Sequence, residues 1–214
     1  MRSGCSNADK LENESILAEG TFGMGTEQNA VVSVHKPSVK EKIFFFISGL
    51  LVSVPFTLFF SDFTDSLCNV LPMFFGQVCS IVLFSPFIEE FAKVFPLYYR
   101  HGETERSIMT LAVLTGLGFG VTELVLYVFT LDASFISRVP GLIFHASSAG
   151  ITAYGIAKKK PLPFYLVAVS LHLANNLFAL LGASLLYLPG VAVLVVTYLL
   201  ALRLYRQASE TIVV

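Results

Sequence analysis

Six long apolar runs occupy residues 43–60, 70–97, 107–130, 137–157, 162–181 and 185–203. Each is close to the roughly 20 residues that a helix rising about 1.5 Å per residue needs to cross a hydrocarbon core of about 30 Å. No water-soluble core of this size can hide so much apolar surface: 55% of the 214 residues are hydrophobic and 14% are charged, against about 25% charged in soluble domains. Because a bilayer offers the backbone no water, each spanning segment must satisfy its own N–H and C=O groups. The expected fold is therefore all-α, a polytopic transmembrane helix bundle of about six spans. The 70–97 run is long and contains Ser85-Pro86, which predicts a kink or tilt in it.

Residues 1–40 mix Ser, Asn, Glu, Gly and Lys without apolar periodicity, the composition of a disordered tail. No apolar h-region occurs there, so no cleavable signal is expected. Residues 41–206 form the membrane domain, and 207–214 a short C-terminal tail. Lys and Arg gather at one set of ends: Lys36, Lys40 and Lys42, then Arg100 and Arg106, then Lys158-Lys159-Lys160, then Arg203 and Arg206. The intervening loops hold Asp62, Asp65 and a single Arg138. By the positive-inside rule both termini are cytoplasmic. The sequon Asn13-Glu14-Ser15 would then never meet a glycosyltransferase. Net charge is −1 with no basic stripe, so nucleic acid is not an expected partner; the lipid bilayer is. Cys5, Cys68 and Cys79 make no disulfide framework and no CxxC site, and a Cys68–Cys79 bond is not expected.

Ionisable residues inside the runs are few, and charge is costly there, about +2.5 to +3.5 kcal/mol at mid-span for Asp, Lys or Arg. They form four patches: Glu89-Glu90-x-x-Lys93, Glu123, His145 and His172-x-x-x-Asn176. Helical spacing puts Glu89 and Lys93 on one face at i,i+4, with Glu90 about 100° away. On that geometry Lys93 pairs with Glu89 and leaves one carboxylate for chemistry. Glu123 has no Lys or Arg on its own span, and His172 shares a face with Asn176. At about 1.5 Å per residue, Glu89, His145 and His172 lie near mid-membrane and Glu123 somewhat nearer the outer side. The blander readings are a snorkelling Lys with its pair, an interhelical hydrogen bond from Glu123, and a satisfied core histidine. Gly116-x-Gly118-x-Gly120 follows no strand and reads as a small-residue stripe for close helix packing.

Such a set is sufficient for hydrolysis by activated water: a carboxylate takes the proton, other groups hold the water, and a donor meets the oxyanion. It also suits zinc, with Glu123, His145 and His172 as the candidate ligands, although no HExxH pair is present. Zinc and a metal-free mechanism both stay open. A proton- or ion-coupled transporter or channel uses the same residue types.

Taken in order on successive spans, Glu89-Glu90-x-x-Lys93, Phe119-x-x-x-Glu123, His145 and His172-x-x-x-Asn176 resemble the motifs of the PrsW family of intramembrane proteases. That family is related to the CAAX prenyl proteases and the bacteriocin-processing proteins, whose usual EExxR and FxxxH stand here as EExxK and FxxxE. The resemblance covers about 85–180. In the family an Asn commonly follows the Glu of the third span; Leu124 stands here and supplies no such hydrogen bond. The resemblance implies that Glu89 and Glu90 are the catalytic pair, one as general base. It also implies that Glu123, His145 and His172 position the water or a metal, and that Asn176 assists the oxyanion. It further implies an enzyme of the cell membrane that cleaves a membrane protein or peptide in regulated proteolysis, such as an anti-sigma factor. A CAAX-type prenyl-protein endopeptidase is the neighbouring alternative.

Overall fold

The computed structural model describes residues 36–99, 104–182, 187–210 and 213. Most of the 1–40 tail expected from the sequence lies outside them. The described residues form six helical rods and no β-strand: α1 (Val39–Cys68), α2 (73–99), α3 (Glu105–Thr130), α4 (Phe135–Ala157), α5 (Pro161–Leu181) and α6 (Tyr187–Gln207). Four of them, α1, α3, α5 and α6, are long and apolar enough to cross a membrane. The other two carry Glu89, Glu90, Lys93 and His145. Large apolar side chains such as Phe59, Phe63, Phe129 and Val195 stand exposed around the outside, as lipid contact requires. The molecule is an all-α membrane helix bundle.

Local chemistry sets the rod ends. Ser38 and Glu41 form a capping box: Ser38 Oγ accepts from Glu41 N, and Glu41 Oε2 accepts from Ser38 N at 2.7 Å. The first helix thus begins at Val39, just inside the expected tail. Thr104 caps α3 by accepting from Ser107 N, and Gly182 ends α5 with φ of 55°, a left-handed conformation glycine adopts at no steric cost.

Both α1 and α2 contain a π segment, Gly49–Ser53 and Val78–Phe84, each followed by one α-helical residue and then a proline, Pro55 and Pro86. In π register the carbonyl of residue i meets the N–H of residue i+5, as Ser85 N does with Ser80 O. For Leu50 and Ile81 that fifth residue is the proline, which has no N–H. Neighbouring helices supply the missing donors. Thr122 Oγ1 of α3 donates to Leu50 O at 3.0 Å, and Asn176 Nδ2 of α5 donates to Ile81 O at 3.0 Å.

Close crossings then bring the rods together. A Cβ on Gly49 would strike the Thr115 carbonyl and one on Gly118 the Phe46 carbonyl, so α1 and α3 touch backbone to backbone. Gly116 does the same against the His145 carbonyl of α4, and Gly120 lies against Leu142. The small-residue stripe is therefore a packing surface on two sides, and it sets the distance between the helices that carry Glu123 and His145. Gly116→Val is expected to destabilise the protein by about 1–3 kcal/mol through overpacking, read as a lowered thermal midpoint in detergent.

α4 sits centrally, packed against α3, α5 and α6. At one end of the bundle Glu105 accepts from Lys158 Nζ at 2.6 and 2.8 Å and from Ser209 N and Oγ at 2.9 Å. That cluster ties the start of α3 to the end of α4 and to the residues beyond α6, and the hydrogen bonds and charge of Glu105 raise the pKa of Lys158. At the opposite end Cys68 and Cys79 are disulfide-bonded with Cα atoms 5.7 Å apart, contrary to the sequence-based expectation. The short α1–α2 connection folds α2 back along α1. Residues 11 apart in sequence thereby reach the same height.

Candidate active site

Helix α2 resumes α-helical pairing at Ser85–Val94, and its last two turns present Glu89, Glu90 and Lys93 to the bundle interior. All three are buried, Glu90 and Lys93 completely. Lys93 Nζ donates to Glu90 Oε1 at 2.7 Å, an i,i+3 pair, not to Glu89 as i,i+4 spacing predicts. The reason lies on α5. His172 stands between the two carboxylates, its Nδ1 2.8 Å from Glu90 Oε1 and its Nε2 3.6 Å from Glu89 Oε2. An ionised carboxylate only accepts, so Nδ1 donates to Glu90. Glu90 thus receives both cationic and imidazole donors on one oxygen. Glu89 is held by its own helix, accepting from Ser85 Oγ on its other oxygen.

Helices α3 and α4 contribute the facing half. Glu123 Oε2 and His145 Nε2 are hydrogen-bonded, with the Glu123 side chain 29% exposed and His145 buried. The two imidazole rings lie 5.5 Å apart, centre to centre, at a steep angle. Phe144 packs edge-on against both at 5.1 and 5.7 Å, Phe119 packs on His145 at 5.0 Å, and the Phe119 ring faces Lys93 Nζ at 5.0 Å. These rings wall the polar groups off from lipid and leave the ammonium a π face beside its carboxylate. Asn176, a turn beyond His172, points its amide at the Ile81 carbonyl.

Of the residues singled out from the sequence, Glu89, Glu90, His145 and His172 converge, with Glu123 joined through His145. Ser85, Phe119 and Phe144 complete the site without having been assigned a task in it. The i,i+4 spacing of Ser85 and Glu89 was the available sign for the first and the Phe119-x-x-x-Glu123 motif for the second; Phe144, one of 20 phenylalanines, carries none.

Three buried side chains, Glu89, His145 and His172, bring ligand-type atoms within 4.8 Å of one another. Glu89 Oε2, Glu90 Oε2 and His145 Nδ1 have no hydrogen-bond partner, a costly state for buried polar atoms. Two imidazoles and one carboxylate are a donor set of catalytic zinc sites. The His172–Glu90 and His145–Glu123 contacts supply the carboxylates that usually orient metal-binding histidines from behind. The residues fit a divalent cation, with Glu89 in the place expected of Glu123.

A family model for PrsW family intramembrane metalloproteases matches residues 39–202. The chain belongs to that family. No curated protein and no solved structure matches it. The PrsW match opens at the first residue of α1 and runs into α6, so every helix that lends a residue to the site lies inside it. PrsW membership makes this an integral membrane protease, a hydrolase whose substrate is a membrane protein or peptide reached in a lipid environment.

Proposed function

We propose that this PrsW-family protein hydrolyses peptide bonds within or beside the membrane, with Glu89 as the carboxylate that draws the proton from the attacking water. The observation that carries the reading is the pair of unpartnered buried atoms, Glu89 Oε2 and His145 Nδ1, facing the same small space as His172. Glu90 Oε2 is likewise without a hydrogen-bond partner, but Glu90 lies outside the Glu89–His145–His172 group and its Oε1 is taken by both Lys93 and His172. Its work is to fix the His172 ring. Glu123 does the same for His145, and its partial exposure makes it the group through which protons pass to and from the surroundings. Walls of Phe119 and Phe144 keep bulk water away, which strengthens each of these contacts.

His145 and His172 would hold the metal ion that the family's description as metalloproteases implies, leaving Glu89 Oε2 beside them for the proton. Such an ion acidifies its bound water and polarises the attacked carbonyl. Both termini face the cytoplasm in this reading, and the enzyme acts in regulated proteolysis of a membrane protein in the cell membrane.

The test is cleavage of a library of single-span membrane peptides by the purified protein in lipid discs, before and after treatment with 1,10-phenanthroline. Loss of cleavage on chelation and its return with Zn²⁺ is the expected result. Cleavage that survives chelation yet vanishes in Glu89→Gln would keep the peptidase and remove the ion. If the wild type cuts nothing while driving proton or ion flux across liposomes, the site belongs to a transporter.

A further inference from the structure

We infer that Asn176 is a positioning residue for Glu89, acting through the backbone of α2. This deepens the peptidase reading and rests on it only for the effect on turnover. The resemblance assigns Asn176 to the oxyanion, but its Nδ2 donates to Ile81 O at 3.0 Å, and its Oδ1 accepts from Asn175 Nδ2 at 3.4 Å. A carbonyl only accepts, so the first contact requires the amide nitrogen to face Ile81. Ile81 is not an arbitrary target. It is the π-segment residue whose i+5 neighbour is Pro86, so its carbonyl is the one that α2 leaves over where π pairing gives way to α.

α1 repeats the arrangement with different residues. There Pro55 stands five residues after Leu50, and Thr122 of α3 donates to the Leu50 carbonyl. Two π-to-proline junctions each matched by one side-chain donor from a neighbouring helix show what the junction demands. A carbonyl left bare in an apolar environment is costly. In α2 the junction leads directly into the site. Ser85, between the freed carbonyl and the α-helical turns, donates to Glu89, and one turn back along α5 from Asn176 lies His172 with Nε2 3.6 Å from Glu89. The Asn176–Ile81 bond therefore locks the register of α5 against α2 where carboxylate and imidazole must meet.

A rescue experiment separates this task from contact with the reacting atoms. Asn176→Leu keeps the side chain's bulk and removes the donor; Pro86→Ala restores an N–H that reaches Ile81 O from within α2. The expected result is that Asn176→Leu lowers the thermal midpoint of the protein in lipid discs by several degrees. Pro86→Ala added to it should recover most of the loss. Asn176→Ser serves in the same way if the leucine variant fails to insert. On a membrane peptide that the wild type cuts, kcat should fall at least about 10-fold in Asn176→Leu with little change in KM, and return in the double variant, as displacement of a positioned group predicts.

No rescue of the midpoint would overturn the link to Ile81. A recovered midpoint with turnover still lost would assign the amide to the oxyanion, and turnover unchanged in Asn176→Leu would reduce the bond to packing; either result overturns the positioning role. A wild type that cuts no peptide would count against the peptidase, while the backbone link is still decided by unfolding alone.

Discussion

Glu89→Gln is expected to lower kcat on a membrane peptide by about 10²–10⁴-fold, the range for removing a positioned proton acceptor, while the protein inserts and unfolds at a near-native temperature. The amide keeps the shape of the carboxyl and can still accept from Ser85, so little of the packing is disturbed. What it loses is the negative oxygen facing His172 and His145. Glu90→Gln should behave differently. Its oxygen holds both Lys93 and His172, so that variant should lose thermal stability together with turnover. Measuring melting and kcat side by side for the two variants distinguishes the roles. Equal melting losses, or a Glu89→Gln protein with wild-type turnover, would defeat the assignment of Glu89 as the acceptor.

Lys93→Ala should be the most damaging single change to the fold. Lys93 and Glu90 are both fully buried and meet at 2.7 Å, and removing one member of such a pair strands the other, at a cost of about 3–5 kcal/mol. Replacing both, as Glu90→Gln with Lys93→Met, should recover most of that loss, because no charge is then left without a partner. The recovered fold should still be a poor enzyme, since His172 no longer has a carboxylate behind its ring. Thermal midpoints for Glu90→Gln, Lys93→Met and the double variant close the cycle. Independent, additive losses would show that the pair is not coupled.

The rods were legible in the sequence because each apolar run is long, ends in polar residues and needs no partner to be recognised. Residue type also revealed the site: Glu89, Glu90, His145 and His172 are conspicuous where charge is rare. How they pair was not legible. Spacing on one helix favours Glu89 for Lys93, but the choice is made by His172, which reaches Glu90 from a helix 82 residues away. The same holds for Ile81 and Asn176, 95 residues apart. A Ser-Pro in an apolar run announces a disturbance of the helix, but not the π segment before it or the amide that completes it. Cys68 and Cys79 likewise look isolated until α1 and α2 fold against each other.

The cluster around Glu105 has a consequence for the order in which the molecule is made. Every residue of the site lies between Ser85 and Asn176, so all of them leave the ribosome before Ser209 does. Glu105 meets Lys158, at the end of α4, before Ser209 has been made. Until it arrives, the nascent protein holds the full set of site side chains on helices whose ends are not yet fastened. Synthesis of the residues just beyond α6 is then the step that fastens them.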